Sequence, residues 1–533
     1  MFIYGAVWLH YISLASETGR SVAIASKCLF PSYYLTPIPN TIVPLDLNFF
    51  TLQVSSPIDF LHQFRFISVI LPRLSFSSAL LAGVRHQSKP MSTPPPSSTQ
   101  PRRFGLRWKD DMWGPQPEWT CEPELSVIQT IAARYVSEPT VTFLGAGAFN
   151  KLYTITSPSR KSDLVFRVTL PVEPRYKTAS EVATINYVSR RTGIPVPAVI
   201  AYDCNADNEL SFEWILMEKV LGVCYKEIEE SIPKEVKHEI VKKVAGYIVE
   251  MREKCRFDMI GSLYQRSDLT EEELKTTVPT ELEDIVIGPA VTMFMFFGPL
   301  KSYIPRNRGP YRTDGEFLGA QLDAQIRDLQ LLQTLATGQA SVAQYIPAEF
   351  GDDEFDSDSA ENAAEVEKGL QALRSVVPSL FLGADSPPTS TPPFVLRHQD
   401  LNHSNIMIDP ATHTITGIID WECTTSVPTW DDSYPVFIDG KDRAEQPSRP
   451  ATPTSITLQE QWEDWENTQL RKIFDEVTKT RPREDIKGEV KRLLVVHMNS
   501  VGFFTKMVIT WTEKLQMVLD NGWEGVEELR KDN

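Results

Sequence analysis

The sequence predicts an α+β protein in two parts: a smaller one built on an antiparallel sheet and a larger, mostly helical one. Three observations carry this expectation. Strand-like stretches punctuated by glycine crowd the region from about residue 136 to 222. Apolar stripes of helical period dominate the remainder of the chain. Inside the second part, a polar run sits between two short apolar strands. With 533 residues, 42% hydrophobic and 10% aromatic, the chain is long enough to bury a large core and to form more than one lobe.

The first ninety residues differ in character from the rest. They are rich in Ser, Phe, Leu and Pro, and carry Arg20, Lys27, Arg65, Arg73, Arg85 and Lys89 against Glu17, Asp46 and Asp59. The apolar run from Met1 to Leu14 has no basic residue before it, no clear cleavage site, and too little length for a stable membrane span. Residues 1–90 are expected to be a poorly ordered extension or a gene-model artefact, with Met91 the alternative start. Residues 91–135 combine a linker at Pro94-Pro-Pro-Ser-Ser-Thr with a leading helix, whose stripe is Leu125, Ile128, Ile131, Ala132 and Tyr135.

The sheet part, 136–222, opens on Val141 to Tyr153, which reads as strand, glycine turn, strand. Gly145 and Gly147 leave room for close approach and for backbone N–H groups to face an anion, although alone they also suit an ordinary hairpin. The next strand, Asp163 to Thr169, carries Arg167, and the helix Thr178 to Val188 carries Glu181, a natural ion-pair partner. Past Thr192-Gly-Ile-Pro-Val-Pro197, the alternating run Phe212 to Val220 leads to Gly222 and the hinge.

The helical part, 223–533, starts with Ser231 and Pro233 as cap and first helical residue, and Val236, Ile240, Val244 and Ile248 as a buried face. The acidic stretch near 349–367, with Glu361, Glu365 and Glu367 at its end, is expected to be a solvated insertion. Ala384 to Pro393 is a loop, and helical segments at Leu458–Val477 and Leu493–Leu519 complete the lobe, with Trp462 and Trp465 in its core.

A formal charge of -17 and a pI near 5.1 argue against nonspecific nucleic-acid binding, which needs a basic surface. Six cysteines without Cys-x-x-Cys pairing indicate reduced thiols in an intracellular protein, the cytoplasm ahead of the mitochondrion. Oligomeric state is not legible in the sequence.

The most informative segment is Val395-Leu-Arg-His-Gln-Asp-Leu-Asn-His-Ser-Asn-Ile-Met-Ile-Asp409, with Gly417-Ile-Ile-Asp-Trp-Glu422 shortly after it. Asn405 stands five positions after Asp400, and one hairpin later an apolar strand ends on Asp420. Magnesium-assisted phosphoryl transfer requires three such oxygen-bearing side chains. One carboxylate orients the attacking hydroxyl, while an amide and a second carboxylate hold the metal on nucleotide phosphates.

This spacing resembles a kinase catalytic loop with its metal aspartate. With Asp420-Trp-Glu where protein kinases carry Asp-Phe-Gly, it is similar to the aminoglycoside phosphotransferase and choline kinase families, in their eukaryotic aminoglycoside-phosphotransferase-domain branch. The resemblance implies a bilobal protein-kinase-like fold, ATP and Mg2+ as cofactors, and transfer of the γ-phosphoryl group to a hydroxyl of a small molecule. By it Asp400 would be the catalytic base, and Asn405 and Asp420 the magnesium ligands. Gly145, Gly147 and Asn150 would cover the phosphates, and the backbone of Glu218 and Val220 would meet adenine. Arg167 stands where protein kinases place lysine, so it would grip phosphate as a fork rather than a point charge. His398 is expected to brace the metal loop and His403 to be solvated, while Glu422, Asp431 and Asp432 lie where a cationic acceptor could be met. The missing lysine, and the wide spread of uncharacterised members in the family it resembles, some linked by name to mitochondrial inheritance, motivate an alternative: a nucleotide-binding pseudokinase or scaffold with a mitochondria-related role. A protein kinase fits less well, since no Ala-Pro-Glu occurs after Asp420.

Overall fold

A computed structural model of the chain describes residues 103–111, 114–298, 306–337, 357–381, 394–431, 434–448 and 456–479, with 517, 520 and 521. The expectations for residues 1–90, the Pro94 linker, the 349–356 acidic run, the 384–393 loop and most of 493–519 lie outside these residues.

The architecture is α+β, an antiparallel five-stranded sheet followed by a mostly helical part. After a short hairpin, β1 (Leu106–Asp111) and β2 (Gly114–Trp119), comes a helix α1 (Leu125–Ala132) that buries Ile128, Ile131 and Ala132. Tyr135, expected on its stripe, lies past its end and is exposed. The sheet of the first lobe is antiparallel, in the order β3 (Thr140–Ala146), β4 (Asn150–Thr156), β5 (Leu164–Thr169), β7 (Glu213–Glu218), β6 (Val199–Asp203). Its apolar face, including Phe166 stacked on Trp214 with centroids 5.1 Å apart, packs on α1.

Helix α2 (Tyr176–Arg191) lies between two apolar surfaces. Val182 meets Ile215 and Met217 of the sheet, while Ala183, Tyr187 and Val188 join Leu263, Ile285 and Ile287 in the main core. Those last residues belong to a three-stranded sheet of β10 (Ser262–Gln265), β12 (Ile285–Gly288) and β11 (Val278–Pro279). Covered from both sides, α2 buries even its polar residues Lys177, Thr178, Ser180, Glu181 and Thr184. A buried charge is tolerated only when paired and hydrogen-bonded, so the charged members of this set demand partners.

The hinge is Gly222, whose φ of +107° favours glycine and where a Cβ would collide with the Ile408 carbonyl. Beyond it, β8 (Val223–Cys224) pairs with β14 (Ile406–Ile408), tying this junction to the segment that follows Asp400 and Asn405. Helix α3 (Lys234–Lys254) has Pro233 at its cap position, so it starts one residue later than the sequence suggests, and it buries Ile240 and Val244. It packs on α6 (Ile456–Thr478) through the shared core and the Lys237–Glu466 pair at 3.1 Å. On α6, Trp462 and Trp465 are half-buried rather than core residues, their rings 5.0 Å apart.

The end of the acidic stretch is not a solvated insertion. Residues from 357 onward form α5 (Ser357–Phe381), which pairs with α4 (Asp314–Ala336) and buries Ala363, Val366, Leu370 and Leu373. Glu367 accepts hydrogen bonds from Gln330 and Gln333 at 2.8 and 2.9 Å. The acidic count hid an apolar stripe at helical spacing. Among the described residues no helix is long and apolar enough to cross a membrane, and five free cysteines occur without a disulfide.

Candidate active site

One hairpin brings the polar residues of the 398–420 segment together. Strand β13 (Phe394–Arg397), clamped between β16 (Thr425–Pro428) and β9 (Arg256–Phe257), delivers the chain to the loop that holds Asp400. β14 and β15 (Ile415–Ile418) then pair with Ile406 opposite Ile418. That register sets Asn405 beside the residue before Asp420, and the Ile419 N–H donates to the Asn405 carbonyl at 3.0 Å. Asn405 Nδ2 in turn donates to the Asp400 carbonyl at 2.8 Å and to its Oδ2 at 3.2 Å, while Asn402 Nδ2 donates to Oδ1 at 2.8 Å. Both Asp400 oxygens are thus oriented by amides.

His398 links the two halves of the hairpin. Its Nε2 donates to the Ile419 carbonyl at 3.1 Å, and its Nδ1 accepts the Asp400 N–H at 3.2 Å. Only a neutral ring with its proton on Nε2 satisfies both contacts, and burial lowers the imidazole pKa in the same sense. Trp421 packs edge-on against it at 4.7 Å, making His398 a brace. His403 departs from the expectation of a solvated ring. It stacks on Tyr225 at 5.5 Å, meets Phe437 at 5.6 Å and pairs with Glu229 at 3.1 Å.

Asp420 and Cys423 adopt left-handed backbone, φ +65° and +58°, which residues with a side chain rarely do. Between them, Trp421 is buried, with its Nε1 donating to Ile418 O at 2.9 Å, and Glu422 turns inward. Glu422 is therefore not placed to meet a cationic acceptor. Its Oε2 accepts from Asn150 Nδ2 at 2.8 Å, from Arg167 and from Lys177. Asp431, proposed for the same task, pairs with Arg397, and Asp432 lies outside the described residues. Cys423 is buried, and burial holds its thiol well above the usual range.

Arg167 sits at the centre of this cluster. Its Nη1 pairs with Glu181; its Nη2 pairs with Glu422 and lies 3.2 Å from Asp420 Oδ1; its Nε is buried without a hydrogen-bond partner. Burial alone would lower its pKa, but Glu181, Glu422 and Asp420 outweigh that and raise it. Burial lifts the Glu181 carboxyl to about 7 against the pull of Arg167. Burial and the Glu422 charge lift Asp420 to about 6, with a smaller contribution from Asp400. Glu422 moves the other way: burial opposes ionisation, yet Lys177, Arg167 and the Asn150 hydrogen bond hold it down to about 2.

Lys177 is a site residue that the sequence expectations do not include. It is wholly buried and its Nζ also meets Asn150 Oδ1 at 3.3 Å. The signal was available: Lys177 precedes Glu181 by four, one helical turn, so the two share a face. Asn150, expected at the phosphates, gives its side chain to Glu422, Lys177 and Thr169.

The glycine turn lies where β3 passes to β4, closed by the Gly147 N–H donating to Asn150 O at 2.8 Å. Neither Gly145 nor Gly147 needs a left-handed backbone, and a Cβ on either would meet nothing within 4 Å, so the space beside both is open. At the hinge, the Glu218 N–H is committed to Ala198 O at 2.9 Å, and its carboxylate pairs with Arg160. Val220 packs against Gly417, where a Cβ would stand 2.6 Å from its Cγ1.

Among the described residues no three His, Cys, Asp or Glu side chains could hold a metal by themselves. The oxygen donors present nevertheless fit magnesium, which keeps several waters and phosphate oxygens and asks few ligands of the protein. Asn405 spends its Nδ2 on Asp400, leaving Oδ1 as a donor. Asp420 Oδ1, although near Arg167, is buried with no hydrogen bond to occupy it.

A model of the phosphotransferase enzyme family matches residues 310–434, the span that contains Asp400, Asn405 and Asp420. A subtelomeric hrmA-associated cluster protein of Aspergillus fumigatus (strain CBS 144.89) is 30% identical over 332 residues, 56% of this chain and 60% of that protein. Altered inheritance of mitochondria protein 9 of Clavispora lusitaniae is 25% identical over 317 residues, 55% and 49% of the two chains. The chain thus spans about half to three-fifths of the length of these relatives. Among solved structures, an aminoglycoside-3'-phosphotransferase of type VIII aligns with 71% of this chain and 98% of its own, at 14% identity and a TM-score of 0.33. A choline kinase from Cryptosporidium parvum aligns with 75% and 97%, at 14% identity and a TM-score of 0.34. Over residues 310–434, the chain is similar to the phosphotransferase enzyme family.

Proposed function

We propose that the protein moves the γ-phosphoryl group of ATP to a hydroxyl of a small molecule. The observation that carries this reading is the contact chain from Asp400 through Asn405 to Ile419 and Asp420, which joins one carboxylate, one amide and a second carboxylate. Asp400, held by Asn402 and Asn405, orients the acceptor hydroxyl and takes up its proton as the new oxygen–phosphorus bond forms and the bond from the γ-phosphorus to the bridging oxygen breaks, with ADP leaving. Asn405 Oδ1 and Asp420 would hold magnesium, which would supply positive charge against the phosphates. Gly145 and Gly147 let the turn close over them, and the Glu218–Val220 hinge receives the base.

Incubation with labelled ATP, magnesium and a cell-metabolite extract is expected to yield a phosphorylated small molecule. Asp400→Asn should lower its rate by about a hundredfold to a thousandfold. Near wild-type labelling by that variant would refute the assignment.

One observation favours a second reading, nucleotide binding without turnover: every paired N–H of Arg167 ends on a carboxylate. Magnesium-dependent ATP binding with no labelled product from any extract fraction would support it. The name of the Clavispora relative motivates a mitochondrial setting, which cell fractionation tests.

A further inference from the structure

We propose that Arg167 and Lys177 do not grip the nucleotide phosphates but act as positioning residues, holding Asp420 and Glu422 so that the metal can bind. This deepens the phosphotransferase reading and rests on it.

Four observations support the assignment. The Arg167 fork is already engaged: Nη1 by Glu181, Nη2 by Glu422 and, at 3.2 Å, by Asp420 Oδ1. To reach a phosphate it would have to release a buried carboxylate, and a carboxylate buried without its partner is costly. Lys177 is no freer, since its Nζ meets Glu422 and Asn150 and its side chain is 1% exposed. The charge balance points the same way. Two cations, Arg167 and Lys177, face three carboxylates, Glu181, Asp420 and Glu422, so the cluster holds no surplus positive charge with which to attract phosphate. Finally, Asp420 is held in left-handed backbone at φ +65°, a conformation that persists only where surrounding contacts enforce it. The Arg167 contact to Asp420 and the three donors on Glu422, two residues later, supply that enforcement.

Phosphate contact then falls to the backbone of the glycine turn and to the metal. Loss of Arg167 should therefore weaken the cooperation between magnesium and ATP without weakening the binding of metal-free ATP.

Calorimetric titration of the full chain with ATP, in EDTA and in excess magnesium, reads this directly. For Arg167→Gln, metal-free ATP affinity is expected to stay within about twofold of wild type, while the tightening produced by magnesium shrinks by about tenfold or more. A general loss of structure would lower both affinities, so the split is a readout that a merely structural role would not move. Should Arg167→Gln not fold, Arg167→Lys, which keeps the charge but cannot bridge Glu181 and Asp420 together, is expected to show the same split. A drop of more than about fivefold in metal-free affinity, or an unchanged magnesium effect, overturns the proposal. Wild-type protein that binds no ATP under either condition overturns the phosphotransferase reading itself, and this inference with it.

Discussion

Glu213 stands on β7 with its Oε1 accepting the Arg175 N–H, its Oε2 buried without a hydrogen-bond partner, and only 2% of the residue exposed. Burial pushes its carboxyl up to about 7. Between about pH 4.5 and 7 the folded chain keeps this proton while the unfolded chain gives it up. The stability linked to Glu213 is therefore fully present below about pH 4.5 and is lost as pH rises towards 7. Glu213→Gln should remove that slope and be more stable than wild type at pH 8 by roughly 1–3 kcal/mol. Urea unfolding at pH 4.5 and pH 8 tests it; equal offsets at both pH values would contradict the account. Lys177 and Glu422 teach a second lesson at this scale. Each is an ordinary surface residue type, and what makes them interior is the cover on both faces of α2 and the left-handed turns around Trp421. The spacing of four sets Lys177 on the face of Glu181, but no local pattern encodes the burial of Lys177 or of Glu422.

Gly222 joins the lobes at the scale of elements. Its φ of +107° and the Ile408 carbonyl at its back leave no room for a side chain, so Gly222→Ala should push β8 away from β14. A loss of about 1–3 kcal/mol is expected, read by thermal or denaturant unfolding, and an unchanged midpoint would contradict the hinge assignment. A second element contact fixes α2. Glu273 closes a capping box with Thr270 and accepts from both Arg175 Nη atoms and from Tyr176 Oη, so the β10–β12 region latches the start of α2. Burial opposes ionisation of Glu273, but those hydrogen bonds prevail and lower it to about 2. Its contribution is present above about pH 4.5 and is lost as pH falls towards 2. Glu273→Ala should cost about 1–2 kcal/mol at pH 7 and almost nothing near pH 2. A pH-independent difference would show that the carboxylate charge is not what fastens the helix.

Across the whole molecule, the two-lobe plan was legible because chain order alone carries it: glycine turn, strand with Arg167, helix with Glu181, hinge, catalytic hairpin. Periodicity located α3 and α6 to within a few residues. The α4–α5 pair was not legible, because net charge masked the stripe from Ala363 to Leu373. Nor was the sheet over α2, whose strands of two to four residues are too short for an alternation to register. For the site, the residue types and spacing of Asp400, Asn405 and Asp420 were readable. The interior ion cluster behind them was not, since it depends on contacts such as Asn150 to Glu422, 272 positions apart in the chain. Such contacts exist only once both lobes have folded.

A crystal structure of the full chain with magnesium and a nonhydrolysable ATP analogue tests the central claim most directly. The metal should lie about 2.0–2.1 Å from Asn405 Oδ1 and an Asp420 oxygen, with the γ-phosphate facing Asp400 beneath the 145–147 turn. Nucleotide bound elsewhere, or a metal that touches neither side chain, would contradict it.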